Sequence, residues 1–231
     1  METIWCFWAK PENMTQNRIN SLNLLKSINK NKVELVNSKS FFDYEVENNK
    51  IHDAFVYLSD THQSDYARCY LTHNYGGAYS DIKPFKKQWF DYFYILNNFN
   101  IDLVGTKEPG PGGVAYIPSA HLYEYLVSPG GFIMKKYSSI STQWMDEINK
   151  VLDDKLELLK SNPGWYHPRA VSKQCSRSGV FDSVDTYVHK ENYPLHWAEI
   201  CGCIFHKVQS NNLNRISNVL PPEYFSTFQY R

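Results

Sequence analysis

Ser64-Asp65-Tyr66-Ala67-Arg68, followed by Gly76-Gly77-Ala78-Tyr79-Ser80-Asp81-Ile82-Lys83-Pro84, decides how the chain is read. Between Ser64 and Asn74, Ala67, Tyr70 and Leu71 recur at helical spacing, and Gly76-Gly77 is a strong helix stop. Ala78 to Ser80 is then a very short strand that delivers Asp81 to its carboxyl end. Working outward toward the N-terminus, Thr3 to Trp8 predicts a short buried strand, and Pro11 to Asn17 a polar turn. A helix with Ile19, Leu22, Leu25 and Ile28 on one stripe follows. Val33 to Val36 predicts a second strand and Ala54 to Leu58 a third, the latter ending in Ser59, Asp60 and Thr61. Working toward the C-terminus, Ile101 to Gly105 and Gly131 to Met134 predict strands, with a Gly/Pro-rich loop at Glu108 to Gly113 between them. Ser141 is placed to cap a helix carrying Trp144, Met145, Ile148, Val151, Leu152, Leu156 and Leu159, which Asn162-Pro163-Gly164 ends. Trp165 to Arg231 reads as mostly irregular. No repeat or composition break divides residues 1–231, so the expectation is a single α/β domain, Rossmann-like, with its ligand site beyond the carboxyl ends of the strands.

Composition narrows the function classes. The 24 basic and 24 acidic side chains cancel, and no run of Lys or Arg offers a phosphate-backbone footprint, which argues against a nucleic-acid partner. The first ten residues carry an acid at Glu2 and only a short apolar run, too short for a signal or a transmembrane segment. Five cysteines without framework spacing fit reduced thiols. A cytoplasmic protein is the expectation, peripheral to a membrane only through what it acts on. Aromatic residues make up 16% of the chain, a proportion that suits both a core and the stacking of sugars or bases.

Asp65 and Arg68 lie three apart on the predicted helix and so share a face. On an arbitrary helix such a pair is an exposed ion pair of little worth. Two neighbours change that balance here. The Gly-Gly turn lets backbone approach a ligand closely, and the next strand brings up Asp81. A carboxylate there can hold a ribose hydroxyl or a metal, while Lys83 can face a diphosphate.

From Ser64 to Lys83 these residues resemble the Asp-x-x-Arg helix and Gly-Gly-x-Tyr-x-Asp-x-Asp strand of retaining glycosyltransferases with a GT-A fold, a group that includes capsular-polysaccharide transferases and glycosylating bacterial toxins. Trp5-Cys6-Phe7-Trp8 is similar to the family's opening strand, whose terminal aromatic stacks on the nucleotide base. Gly131-Phe132-Ile133, Tyr193-Pro194-Leu195-His196-Trp197-Ala198-Glu199, Gly202 and Ile204-Phe205-His206 look like the capsular-polysaccharide branch, so the similarity runs from Ile4 to Val208.

The resemblance implies a GT-A-type, nucleotide-sugar-binding domain that moves a sugar from a nucleotide-diphosphate-sugar donor to a glycan, a lipid-linked glycan or another hydroxyl acceptor. It implies donor contacts from Phe7, Trp8, Asp65, Arg68, Gly77, Tyr79, Asp81 and His206. Asp81 and Lys83 would take the catalytic positions. Lys83 stands where the second carboxylate of Asp-x-Asp falls. That puts a divalent Mn or Mg ion, with Asp81 and His206 as candidate ligands, in question, since a lysine can supply positive charge itself. Two other readings stay open. One is a catalytically inactive nucleotide- or sugar-binding protein on the same scaffold. The other is a metal-binding module built on Cys201-Gly202-Cys203 and His206, although the spacing is not that of a C-x-x-C site. Glu199 is a further acid to watch, able to cap a helix or to pair with Arg169 or Arg177.

Overall fold

The structure is a computed structural model that describes residues 2–83, 88–164, 173–175, 181–183 and 193–220. Strand β1 (Thr3–Phe7) leads through helix α1 (Gln16–Ile28) to β2 (Lys32–Val36), and helix α2 (Asp60–Tyr75) leads to β3 (Gly77–Ser80). Helix α3 (Phe90–Asn98), β4 (Leu103–Lys107), β5 (Val127–Met134) and helix α4 (Ser139–Ser161) follow. After a two-stranded ladder, β6 (Lys173–Cys175) with β7 (Phe181–Ser183), the chain forms helix α5 (Ile204–Ser210) and β8 (Ile216–Leu220). Six strands make one mixed sheet in the order β2-β1-β3-β5-β4-β8. β1 pairs in parallel with β2 and β3, β5 runs antiparallel to both β3 and β4, and β8 pairs in parallel with β4. The fold is thus α/β, with a Rossmann-like first half.

Why the strands read as continuous apolar runs is clear from the two cores. Trp5, Phe7, Tyr79, Leu103, Phe132 and Met134 face one, packed by α2, α4 and α5 through residues such as Tyr66, Trp144 and Phe205. Ile4, Cys6, Ala78, Val104 and Ile133 face the other, packed by α1 and α3 through Leu22, Leu25, Phe93 and Leu96. A sheet covered on both faces needs apolar residues at every position rather than at alternate ones. Burying each large side chain contributes about 1.5–3 kcal/mol. Aromatic residues carry much of the first core: the Trp144 and Phe205 rings lie 4.3 Å apart and Phe132 sits 5.3 Å from Phe205. Several tyrosines are there for their hydroxyls as well. Tyr66 accepts from the His52 N–H at 2.9 Å and Tyr70 from the Val46 N–H at 3.0 Å, which tethers the polar segment between β2 and α2 to the core.

Several predicted elements differ from those found. Ala54 to Leu58 is not a strand but a 3-10 turn, Asp53–Tyr57, whose start is capped by His52 Nδ1 accepting from the Ala54 N–H. β3 occupies the place beside β1, and Ala54 and Phe55 reach the core from a turn instead. Helix α2 starts at Asp60, where Ser59 Oγ accepts from the His62 N–H, ahead of the predicted Ser64. The cap of α4 is Ser138, and Ser141 is a buried residue of its first turn. Within Trp165 to Arg231, expected to be mostly irregular, Ile204-Phe205 belongs to α5, and the segment after it holds β8. Among the described residues no helix is long and apolar enough to cross a membrane.

At the turn into β3, Gly76 and Gly77 take φ of 69° and 95°. A Cβ on Gly77 would stand 2.5 Å from the Thr3 carbonyl oxygen, so this glycine lets β3 lie against β1. Gly77→Ala should therefore cost about 2 kcal/mol or more, measured as a shift in the urea midpoint. Gly110→Ala, with nothing within 4 Å of the added Cβ, should stay within about 0.5 kcal/mol of wild type.

Candidate functional site

Asp65 and Arg68 are not the exposed pair of an ordinary helix. Their side chains are only 6% and 9% accessible, because the α2 face that carries them packs over the carboxyl end of β3. Arg68 Nη2 lies 3.0 Å from Asp65 Oδ1 and 3.6 Å from Asp81 Oδ1, while Nη1 donates to the Pro129 carbonyl at 2.7 Å. The guanidinium carbon sits 4.6 Å from the centre of the Tyr79 ring, whose hydroxyl shares a 2.9 Å hydrogen bond with Ser64 Oγ. A planar fork of donors suits this bridging geometry. Lys83 Nζ reaches Asp81 Oδ2 at 3.0 Å. Acid and base thus alternate along one line, Asp65, Arg68, Asp81 and Lys83, and exposure rises to 24% at Asp81.

The two carboxyls respond differently. Burial pushes Asp65 up to about 6 against the pull of Arg68 and of a hydrogen bond from the Cys201 thiol. Asp81 also feels burial, but Lys83, its hydrogen bond and Arg68 outweigh that and hold it below the ordinary carboxylate range. Burial raises the Cys201 thiol well above its usual value, so it faces Asp65 as a proton donor.

A cavity of about 690 Å³ opens at these groups, in the size range of small-molecule sites. Phe7, Trp8, Asp65, Arg68, Tyr79, Asp81, Lys83 and His206 all line it. The β1 end contributes Trp8, with the Arg18 guanidinium 5.4 Å from its ring centre and Arg18 Nη1 donating to the Ile82 carbonyl at 2.6 Å. Lys10 and Asp60 pair at 3.1 Å on the rim. Trp197, 43% exposed, stands at the wall built by a π-helical turn, Glu199–Cys203. Such wide turns recur where a helix is reshaped around a site.

Gly77 is not brought to the cavity. It lies at the opposite end of β3, where its close backbone neighbour is β1 and not a ligand. His206 lines the wall, but both ring nitrogens are engaged. Nδ1 accepts from the Ala115 N–H at 3.1 Å, which places the ring proton on Nε2, and Nε2 meets Glu108 Oε1 at 3.1 Å. Cys203 donates to the Ala115 carbonyl at 3.7 Å, so the two cysteines and His206 serve separate hydrogen bonds. Among the described residues no group of three or more His, Cys, Asp or Glu side chains is arranged to hold a metal ion. Glu199 pairs with Lys155 and accepts from the His196 N–H at 2.9 Å; Arg169 and Arg177, its proposed partners, lie outside the described residues, as does Pro84.

Reasoning from sequence assigned no individual role to Glu108, Ser64, Pro129 or Gly130. The Pro129-Gly130-Gly131 step is the signal that was available. A Cβ on Gly130 would stand 3.1 Å from Lys83 Nζ and 3.2 Å from Asp81 Oδ2, so the bare backbone here lets the pair sit closer than an added methyl would.

Because the folded pKa of Asp65 is raised from 3.8 to about 6, the folded state holds this proton more tightly than the unfolded chain. Its ionisation therefore removes stability as pH rises through that interval. Melting temperatures of wild type and Asp65→Asn, taken between pH 4 and pH 8, should show this downward slope in wild type and its loss in the variant. Parallel curves would contradict the assignment. No family model, curated protein or solved structure matches the chain, so the reading of this site rests on its own geometry.

Proposed function

We propose that the chain is a glycosyltransferase of GT-A type that moves a sugar from a nucleotide-diphosphate-sugar donor to a hydroxyl acceptor, with retention. The observation that carries this reading is convergence. Of the eight residues chosen from sequence as donor contacts, all but Gly77 (Phe7, Trp8, Asp65, Arg68, Tyr79, Asp81 and His206) line one cavity at the carboxyl ends of β1 and β3, together with Lys83, chosen with Asp81 for the catalytic positions. Ligands of open α/β sheets bind at that edge.

In this reading Trp8 stacks on the base and Asp65 accepts a hydroxyl of the sugar or ribose. Arg68 fixes the relative position of Asp65 and Asp81, and Lys83 faces the diphosphate. As the bond between the anomeric carbon and the phosphate oxygen breaks, its electron pair leaves with the diphosphate. The acceptor oxygen bonds to the same carbon, and the acceptor's proton passes to the departing phosphate oxygen. Charge grows on the leaving group throughout, so a fixed cation close by is the main contribution the protein can make.

The donor set does not suit a divalent ion in the present arrangement. Asp81 is matched by Lys83 and Arg68, and both nitrogens of His206 are committed. We therefore infer that Lys83 takes the part a metal would play.

The test is a thermal-shift screen of UDP-, GDP- and dTDP-sugars, each with EDTA and with Mn²⁺. A donor at a hundred times its Kd should add about 2.7 kcal/mol, or roughly 5–10 °C for a chain of this size, and EDTA should not remove the shift. Asp81→Asn and Arg68→Ala should weaken the shift, while Lys83→Ala should lower kcat by about a hundredfold or more. No shift with any donor at millimolar concentration would overturn the reading. Tight donor binding with neither transfer nor hydrolysis would identify a binding protein instead.

A further inference from the structure

Part of the cavity wall offers little or no side chain: Gly112, Gly113 and Ala115, from the connection that follows β4, and Gly202, from the π-helical turn. Such a wall is only as well defined as the backbone that makes it, and glycine-rich backbone does not hold its own shape. Here a buried pair holds it. Glu108 and His206 are 3% and 1% exposed, lie 98 residues apart in sequence, and meet at 3.1 Å. The other ring nitrogen accepts from the Ala115 N–H, so one imidazole grips the connection at two points, Glu108 at its start and Ala115 seven residues on. Glu108 is itself fixed by its N–H, which donates to the Leu126 carbonyl at 3.1 Å.

The fit leaves no slack. A Cβ on Gly113 would stand 2.2 Å from Glu108 Oε2, and one on Gly202 would stand 2.9 Å from the Ala115 Cβ. The wall also has a definite location. Gly202 adjoins Cys201, whose thiol is bonded to Asp65, whereas Trp8 and Arg18 belong to the β1 side of the cavity. With Asp65 on a hydroxyl of the donor's sugar, it borders the sugar's part of the cavity, away from the base.

We propose that the buried Glu108–His206 pair is the positioning element that sets the clearance for the donor's sugar ring, so that preference for nucleotide sugar over bare nucleotide resides in it. This rests on the donor reading above. Glu108 acts through the backbone it holds, whereas His206 also lines the cavity, and Gly202→Ala tests the backbone's part alone.

The experiment is isothermal titration of wild type and variants with UDP and UDP-glucose, GDP and GDP-mannose, and dTDP and dTDP-glucose. For the pair that wild type binds, His206→Ala should lose at least about tenfold in affinity for the nucleotide sugar and less than about threefold for the nucleotide. His206→Gln, whose amide oxygen can accept from Ala115 and whose amide nitrogen can donate to Glu108, should restore the preference. Gly202→Ala, which pushes on Ala115 without removing a hydrogen bond, should show the same selective loss and serves if His206→Ala does not fold. Equal losses for both ligands, or none, in a folded variant would overturn this proposal and leave the donor reading standing. Failure of wild type to bind any of the six ligands would overturn both.

Discussion

The Arg68 guanidinium is the constraint around which the rest of the site is arranged. It cannot give up its charge, it is nearly inaccessible to water, and it lies between two carboxylates that come from different elements. Each carboxylate alone would be costly at this depth, and together they would repel. With the cation between them, α2 and the carboxyl end of β3 are held in one geometry. Tyr79 supports the planar group from below, and the Pro129 carbonyl takes one of its remaining donors. Removing a single partner from such an arrangement leaves a buried charge uncompensated, which is far more costly than the pair is stabilising. The arrangement is therefore better understood as fixing positions than as adding stability.

The same logic of buried polar groups runs outward from the site. His62, at the start of α2, meets Ser59 Oγ, the Tyr193 hydroxyl and the His196 carbonyl, and so ties the segment that carries Trp197 to the helix that carries Asp65. Lys155 of α4 donates to the Pro194 carbonyl at 2.8 Å and pairs with Glu199, holding that segment from its other side. The abundance of tyrosine fits this pattern. A phenol fills core volume and still offers a hydrogen bond to a chain segment that lacks regular structure.

How far the sequence could be read depended on whether the relevant partners were neighbours in the chain. The three strands of the first half and helices α1, α2 and α4 follow from local periodicity. Asp65, Arg68, Asp81 and Lys83 followed because two close spacings and one glycine turn fix their relation. Ala54 to Leu58 misled because a short apolar run looks alike whether it pairs in a sheet or packs from a turn. Helix α3 went unseen because Trp89, Phe90, Tyr92, Phe93 and Tyr94 are apolar nearly all round, leaving no stripe. β8 went unseen for the opposite reason, being an edge strand with polar Ser217 and Asn218 in it. The meeting of Glu108 with His206 has no local signature whatever, since only the packing of α5 beside the loop brings them together.

The antiparallel course of β5 has one more consequence. Lys107 at the end of β4 pairs with Val127 at the start of β5, so the connection between them leaves the sheet and rejoins it at the same edge, the one the cavity occupies. Both of its ends are clamped by the ladder, and the strand pairing beyond is indifferent to what lies between. Changes of length are accommodated at its exposed positions, such as His121 and Tyr125, while Glu108, Val114, Ser119 and Leu126 are buried. A lineage built on this scaffold would be free to diversify what the cavity admits through one replaceable segment, while the charged line from Asp65 to Lys83 stays as it is.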